Sequence, residues 1–199
     1  MHLVLKKATM LPLLLFLHLA GTHDNAFLST NPLLIDFGKE NTGMDWLIIN
    51  DGVMGGLSQG SAYLAEEYIQ FEGTISLENN GGFSSLRSRF QAMDLSAFDK
   101  VEIKYQLEGQ PFAFVMETDQ RWYMPNFKKQ IPATDGEWAT VEIDLFEMQA
   151  YRIGRPQNRY LNKENLEEII RVGFISDGKK AGDFKMLVDY IKFIPKAEN

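Results

Sequence analysis

The feature that most constrains the fold is a period-two alternation of apolar and polar residues, which recurs in short segments from about residue 31 onward. Successive side chains of a β-strand point to opposite faces of a sheet, so this alternation predicts half-buried strands. The apolar positions of four such segments are Ile69, Phe71, Ile75 and Leu77; Val101, Ile103, Tyr105 and Leu107; Phe112, Phe114 and Met116; and Val141, Ile143 and Leu145. Turn dipeptides such as Asn80-Gly81 and Asp135-Gly136 separate the segments. Many short strands at this spacing predict an all-β sandwich or jelly roll.

Two segments break the simple alternation. The run from Phe184 to Ile194 is apolar on both sets of positions, which predicts a central strand covered on both faces. Asn162 can cap a short helix over residues 163–170, because Leu166, Ile169 and Ile170 then share one face. The sequence has no internal repeat and no linker. It therefore predicts one β-sandwich domain, residues 31–195, with one short helix.

The chain of 199 residues contains no cysteine, and its three histidines all lie within the first 23 residues, at His2, His18 and His23. Disulfides, thiolate chemistry and cysteine-based zinc sites are excluded. Histidine is the commonest general base and a frequent metal ligand, so its absence from the rest of the chain argues against catalysis. We expect a protein without catalytic residues, metal site or cofactor.

The first 26 residues have the layout of a secretory signal peptide. Lys6 and Lys7 precede an apolar run over residues 10–20, and small and polar residues follow as far as Ala26. The run is about half of the roughly 20 residues that a membrane-spanning helix needs. Thr22 stands where a lipoprotein would carry its lipid-bearing cysteine. We expect cleavage between residues 20 and 26, and an exported, periplasmic protein with no membrane span.

The net charge of −7 and the scattered placement of 20 Lys and Arg residues bear on the partner. A nucleic-acid-binding protein needs a basic stripe that displaces counterions from phosphates. The sequence has no such stripe, so we expect no nucleic-acid partner.

Two glycine-rich stretches are the densest in the sequence. The first, Trp46 to Ser58, reads WLIINDGVMGGLS and brings Asn50, Asp51, Met54 and Ser58 into one tight loop. The loop is either a corner where only glycine fits, or a ligand loop with free N–H groups and a carboxylate.

The second stretch, residues 78–88, reads ENNGGFSSLRS and combines a turn at Asn79 and Asn80 with a strand that carries Arg87. Arg87 either pairs with an acid such as Glu72 or Asp51, or contacts a ligand. If Arg87 and Asp51 form a buried pair, removing one of them should cost about 3–5 kcal/mol. We expect the two stretches to form one cluster of binding residues.

Arg121, Trp122 and Tyr123 form an aromatic cluster with a cation, in an expected loop after the strand over residues 112–118. Exposed, Trp122 and Tyr123 would suit a sugar ring or a protein partner; buried, they would close one end of the sandwich. Asp51, Asp177 and Asp183 could assemble a structural calcium site with backbone carbonyls, although no calcium-loop motif is present.

The strings Asp-Gly-Val-Met-Gly-Gly (51–56) and Asn-Asn-Gly-Gly-Phe (79–83), with later Gly-Glu-Trp (136–138) and Val-Gly-Phe (172–174), give the chain a family resemblance. It resembles the NADH:ubiquinone oxidoreductase (complex I) intermediate-associated protein family over about residues 34–194. The resemblance implies a galactose-binding-domain-like jelly roll and a chaperone-like role in assembling a respiratory complex, without catalysis.

Three functions are consistent with the sequence. The first is a non-enzymatic module that binds a protein partner, such as a respiratory or envelope protein, as an assembly factor does. The second is an extracytoplasmic carbohydrate-binding module, suggested by the implied fold and by Trp122 and Tyr123. The third is a glycan hydrolase that uses two carboxylates, one of them with a raised pKa.

Overall fold

The computed structural model describes residues 31–38 and 46–196, so the predicted leader lies outside the described residues. The strands are β1 (Leu33–Asp36), β2 (Trp46–Asn50), β3 (Gln59–Leu64), β4 (Ile69–Ile75), β5 (Ser84–Ser88), β6 (Phe98–Glu108), β7 (Phe112–Glu117), β8 (Asn126–Ile131), β9 (Ala139–Asp144), β10 (Gln149–Arg152), β11 (Arg155–Tyr160), β12 (Arg171–Ser176) and β13 (Gly182–Pro195). One helix, α1 (Lys163–Leu166), and short 3₁₀ turns at Asp51–Met54, Glu78–Asn80 and Leu145–Glu147 connect them.

These strands form two antiparallel sheets. The six-stranded sheet has the order β3-β4-β13-β6-β9, with β1 also paired to β13. The seven-stranded sheet has the order β11-β10-β8-β7-β12-β5-β2. The predicted all-β sandwich with one short helix is therefore confirmed.

The core lies between the two sheets and is rich in aromatic rings. Phe71 of β4 packs against Phe184 of β13 with ring centroids 4.8 Å apart, and both reach Phe112 of β7 in the opposite sheet, at 5.6 and 5.0 Å. Offset and edge-to-face contacts of this kind add to the free energy gained by burying the rings. The alternating positions of the four predicted segments supply twelve residues of this core, whereas Leu77, which was predicted with them, is exposed.

Strand β13 is central in its sheet, as predicted, but it is not covered on both faces. Its buried core side chains are Phe184, Met186, Val188, Ile191 and Phe193. The spacing changes between Val188 and Ile191 because the pairing with β6 has a bulge at that point. A bulge inserts one residue and switches which positions face the core. Apolar residues therefore occupy both sets of alternate positions in the sequence of β13, although the exposed Lys185 shows that its outer face is not covered.

The strand that is buried throughout is β7, where all six residues from Phe112 to Glu117 are buried. It lies at the centre of the seven-stranded sheet, between β8 and β12. Side chains on the outer face of the seven-stranded sheet therefore cover β7 as well.

Helix α1 is shorter than the predicted run over residues 163–170. Asn162 caps it as expected, because its side-chain oxygen accepts a hydrogen bond of 2.9 Å from the backbone N–H of Asn165. The helix ends at Leu166, and Ile169 pairs instead with Met93 in an isolated β-bridge. Leu166 and Ile169 are both buried, and one helical turn followed by extended backbone is enough to place both side chains in the core.

The aromatic contacts across the core lead to a stability prediction. Replacing Phe71 with Ala should lower the free energy of unfolding by about 3–5 kcal/mol, since the cavity borders both sheets. Leu64→Ala is the matched control, because Leu64 lies on the neighbouring strand β3 and is exposed. Urea denaturation of both variants measures the effect. Equal losses in the two variants would contradict this description of the core.

Candidate functional site

The carboxylate of Asp51 is the centre of the first glycine-rich loop. It accepts hydrogen bonds from the backbone N–H of Ser58 (3.0 Å) and from the Ser58 hydroxyl (2.6 Å). It also accepts from the backbone N–H groups of Gly82 (2.6 Å) and Phe83 (3.1 Å). Only 1% of Asp51 is exposed. A carboxylate with this many internal donors has little capacity left for a ligand.

This arrangement, which we call the Asp51 clamp, joins two of the connections that cross between the sheets. Asp51 and Ser58 lie on the connection from β2 to β3, whereas Gly82 and Phe83 lie on the connection from β4 to β5. Ser58 extends the clamp, because its hydroxyl oxygen also accepts a hydrogen bond of 3.0 Å from the backbone N–H of Ser76. The clamp therefore fixes one end of the sandwich.

Two glycines are required by the close approach of the chain to the clamp. A β-carbon at Gly56 would lie 2.3 Å from the carboxyl carbon of Asp51, and one at Gly81 would lie 2.6 Å from a carboxylate oxygen. Neither distance is possible for real atoms, so only glycine fits at either position. The glycine-rich strings thus have a structural reason.

The other predicted residues of these loops hold the backbone. The Asn50 side chain accepts a hydrogen bond of 2.6 Å from the Ser84 hydroxyl. Asn79 and Asn80 are exposed and have φ values of 54° and 60°, a conformation that asparagine tolerates better than most residues. The side chain of Met54 lies outside the described part of the structure. The structure thus brings Asn50, Asp51, Ser58 and the turn at residues 79–80 together, as predicted.

Arg87 does not belong to this cluster, and the anticipated pairing with Asp51 or Glu72 is wrong. Its guanidinium forms an ion pair with Glu117 of β7, and the same carboxylate lies 3.7 Å from Arg171 of β12. The reason is register: Arg87 pairs with Gly173 and Arg171 pairs with Glu117, which places the three side chains on one face of adjacent strands. We call them the Arg87–Glu117–Arg171 triad.

The triad lies on the outer face of the seven-stranded sheet. Because Leu86, Met116 and Val172 point into the core, their sequence neighbours on these strands face outward. The same alternation assigns the outward side chains of β8, β10 and β11. The uncharged members are Leu47, Ile49, Ser85, Ala113, Val115, Asn126, Gln130, Gln149, Tyr151, Pro156, Tyr160, Gly173 and Ile175. We call this surface the tyrosine face.

The two outer faces of the sandwich differ in chemistry. The six-stranded sheet carries exposed or half-exposed ion pairs, which are Lys100–Glu142, Lys104–Asp189 and Lys192–Glu102. On the tyrosine face the charged side chains are mostly withdrawn from water: 12% of the Arg87 side chain, 9% of Arg171 and 10% of Lys128 are exposed. Lys128 pairs with Asp177 and lies 4.1 Å from the centre of the Tyr151 ring. Val115, the residue of β7 that pairs with Lys128, is buried as well, so both sides of β7 are withdrawn from water.

An open groove of about 530 Å³ lies at the β8–β10–β11 side of the tyrosine face. Its lining combines two tyrosine rings with amides and ion pairs: Lys128, Lys129, Gln130, Glu147, Gln149, Tyr151, Pro156, Tyr160 and Asp177. Ligand sites typically combine apolar rings with a few polar groups in this way.

Trp122 and Tyr123 lie in the loop between β7 and β8 and are exposed, Trp122 to 69%. The loop is held firmly, because the Asp119 carboxylate accepts hydrogen bonds from the Arg121 side chain (2.5 and 2.9 Å) and backbone (2.9 Å). These bonds lower the pKa of Asp119 to about 2. Arg152 of β10 donates a hydrogen bond of 3.2 Å to the Tyr123 carbonyl. The reading of these rings as a buried plug is therefore wrong. We call Trp122 and Tyr123, with the exposed Ile153 next to Arg152, the aromatic end.

The three acids considered for calcium have other partners. Asp51 forms the clamp, Asp177 pairs with Lys128, and Asp183 accepts a hydrogen bond of 2.6 Å from Thr74. Among residues 31–38 and 46–196, no group of three His, Asp or Glu side chains is placed to hold a metal ion. Within the same residues, no helix has the length and apolar character needed to span a membrane.

The sequence did not predict most of the tyrosine face. Strand β11 reads Arg-Pro-Gln-Asn-Arg-Tyr and has no apolar alternation, since all six residues are exposed. No pattern in the sequence therefore indicated that Tyr160 lies on a strand. Glu117 was detectable in principle, because it is the polar residue at the end of an otherwise apolar buried strand.

A family model described as Complex I intermediate-associated protein 30 (CIA30) matches residues 35–188. The chain belongs to this family. The strings that form the Asp51 clamp lie inside the matched range, so the resemblance read from those strings is confirmed. No curated protein matches the chain in sequence.

Solved structures with the same fold include a family 11 carbohydrate-binding module of a cellulosomal cellulase from Clostridium thermocellum. It has a TM-score of 0.64 and 17% identity, and the alignment covers 86% of this chain and 98% of that chain. The same type of module in complex with a β-1,3-1,4-mixed-linked tetrasaccharide has a TM-score of 0.58 and 16% identity, covering 84% and 98%. An agarase, AgWH50C, matches with a TM-score of 0.55 and 11% identity over 84% of this chain but only 25% of its own length. These likenesses confirm the jelly-roll sandwich.

The Asp51 clamp predicts that Asp51 is a structural residue. Asp51→Asn should lower the free energy of unfolding by about 2–5 kcal/mol, because an amide places an N–H group against backbone donors. Asp183→Asn is the matched control and should cost about 1 kcal/mol or less, since Asp183 is exposed and accepts one side-chain hydrogen bond. Urea denaturation measures both. A stable Asp51→Asn variant would refute the structural role.

The clamp also predicts a pH dependence. Burial by itself would raise the pKa of Asp51, but the bonds from the Ser58 hydroxyl and from the N–H groups of Gly82, Phe83 and Ser58 outweigh it and lower the pKa. The stabilisation is therefore complete above the unfolded value of about 3.8, and it is lost as the pH falls through the folded pKa. Melting temperatures between about pH 6 and 2 should fall more steeply for the wild type than for Asp51→Asn. Parallel curves would contradict the assignment.

Proposed function

We propose that this chain is a non-catalytic binding module that holds a protein partner through its aromatic end. The observation that carries the proposal is the exposure of Trp122, 69%, in a loop fixed by Asp119 and Arg152. A tryptophan side chain has only two dihedral angles to fix on binding, and tryptophan and tyrosine are enriched among residues that dominate interface affinity. Membership of a family named for its association with complex I intermediates supports a protein as the partner.

The carboxylates of the groove support a non-catalytic role. Asp177 pairs with Lys128, and Glu147 pairs with Lys129 at 2.8 Å. The hydrogen bond from Lys129 lowers the pKa of Glu147, whereas a glycosidase acid requires a raised pKa. If the predicted leader exports the protein, the partner is an envelope or respiratory protein on the outer side of the cytoplasmic membrane.

The test is affinity capture of the tagged protein from an envelope fraction. We expect Trp122→Ala to lose a specific protein partner while its melting temperature stays unchanged, because the side chain is largely outside the core. Trp138→Ala is the matched control, since Trp138 is exposed and precedes β9 of the opposite sheet. Equal recovery of the partner by wild type and Trp122→Ala would remove the aromatic end as the binding surface.

The groove favours a second candidate function, the binding of an oligosaccharide. Tyr151 and Tyr160 offer rings for stacking, and Gln130 and Gln149 offer amides that can donate and accept hydrogen bonds from hydroxyl groups. The similarly folded family 11 carbohydrate-binding module in complex with a tetrasaccharide adds support at the level of fold.

Calorimetry with the β-1,3-1,4-mixed-linked tetrasaccharide and a glycan array test this second function. Tyr160→Ala should weaken binding roughly fivefold, because it removes one stacking surface worth about 1 kcal/mol. The matched control is Tyr63→Ala, a similarly exposed tyrosine on β3 of the other sheet. If no glycan binds the wild-type protein, the second function fails and the protein-binding proposal is unaffected.

A further inference from the structure

The charged side chains at the centre of the tyrosine face do not balance. Lys128 and Asp177 form a one-to-one pair. Arg87 and Arg171 share the single carboxylate of Glu117. Within residues 31–38 and 46–196, the ion pairs of the triad thus join two cations to one carboxylate, on a protein whose net charge is −7.

This excess charge is largely withdrawn from water. Arg171 is enclosed, because its Nε donates a hydrogen bond of 3.1 Å to the Ser88 carbonyl and the Phe90 ring lies 3.7 Å from its guanidinium carbon. Arg87 donates from Nε to the Ser85 hydroxyl at 3.2 Å. Burial, and then repulsion from Arg171, lowers the pKa of Arg87 to about 10. A desolvated cation without its own anion is unfavourable unless an anion joins it.

Arg87 and the groove tyrosines lie on one continuous surface. Strands β5, β12, β7, β8 and β10 are consecutive neighbours, so four strand spacings of about 4.8 Å put Arg87 roughly 19 Å from Tyr151. Gly173 and Val115 lie between them in the strand pairing and are both buried, so the surface there is formed by the longer side chains around these two residues. A chain-like ligand that crosses the strands can reach both ends of this surface.

We propose that the tyrosine face binds an acidic oligosaccharide, with sugar rings on Tyr151 and Tyr160 and a ligand carboxylate on Arg87. The proposal rests on the second candidate function, oligosaccharide binding, and names the ligand class. Arg87 supplies charge-assisted hydrogen bonds to the carboxylate, and the added negative charge neutralises the triad. A neutral oligosaccharide would satisfy the tyrosines and amides but not Arg87.

The test compares two probes that differ only in charge: a short oligogalacturonate and its methyl ester. Calorimetry at low salt should show the acid binding roughly 10- to 100-fold more tightly, as expected for hydrogen bonds to a charged group. The difference should shrink as salt is added, because part of the surface is open to screening.

Arg87→Gln should abolish the preference for the acid while the methyl ester still binds. Arg87→Gln removes one partner of a buried ion pair, so its melting temperature should fall, and binding is measured well below the new melting temperature. Glu117 keeps Arg171 as a second partner at 3.7 Å. Lys192→Gln is the matched control, because it removes a cation from the other outer face, where Lys192 pairs with Glu102. If Arg87→Gln does not fold, Arg87→Lys takes its place: it keeps the charge, and we expect weaker acid binding because the planar guanidinium is lost.

Each remaining outcome overturns the proposal. Equal binding of the acid and the ester would preserve oligosaccharide binding but refute the carboxylate site. Binding of neither these probes nor any neutral glycan would refute both. A preference that survives in Arg87→Gln and disappears in Lys128→Gln would place the carboxylate at a different cation.

Discussion

The fold depends on one buried carboxylate. A sandwich whose chain crosses repeatedly between sheets must hold its crossing connections together, and the Asp51 clamp does this for the connections from β2 to β3 and from β4 to β5. Because backbone N–H groups from both connections converge on Asp51, no apolar residue could satisfy them. The two glycines that approach the carboxylate are a consequence of the clamp, since any β-carbon there would collide with it.

With one end fixed by hydrogen bonds and the interior filled by aromatic rings, the two outer faces are free to differ. The face of the six-stranded sheet has exposed ion pairs, which contribute little to stability and keep the surface hydrated. On the tyrosine face, the charged side chains at the centre of the seven-stranded sheet are largely withdrawn from water. Withdrawing charges from water is unfavourable for folding, so this face differs from a surface shaped by solubility alone.

The sequence predicted the strands whose apolar residues alternate, the turn at Asp135-Gly136 with its positive φ values, and the association of Asn50, Asp51 and Ser58. Each of these features is determined by residues that lie close together in the sequence. It did not predict the bulge of β13. One inserted residue reverses which alternate positions face the core, but it leaves the amino-acid composition of the segment unchanged. It also misassigned the partner of Arg87. Cross-strand partners are set by register between β5, β12 and β7, which lie far apart in the chain.

The residues that identify the family and the residues that offer a binding surface are therefore different sets. The glycine-rich strings are committed to the Asp51 clamp, where each polar group already has a partner inside the protein. The tyrosine face is built from positions such as Gln149, Tyr151 and Tyr160. The strand pairing fixes that these side chains point outward, but it does not require a particular amino acid at any of them. A chain can thus keep the clamp and the fold while its ligand changes. Function in this fold must be argued from the chemistry of the outer face, and family membership by itself establishes only the framework.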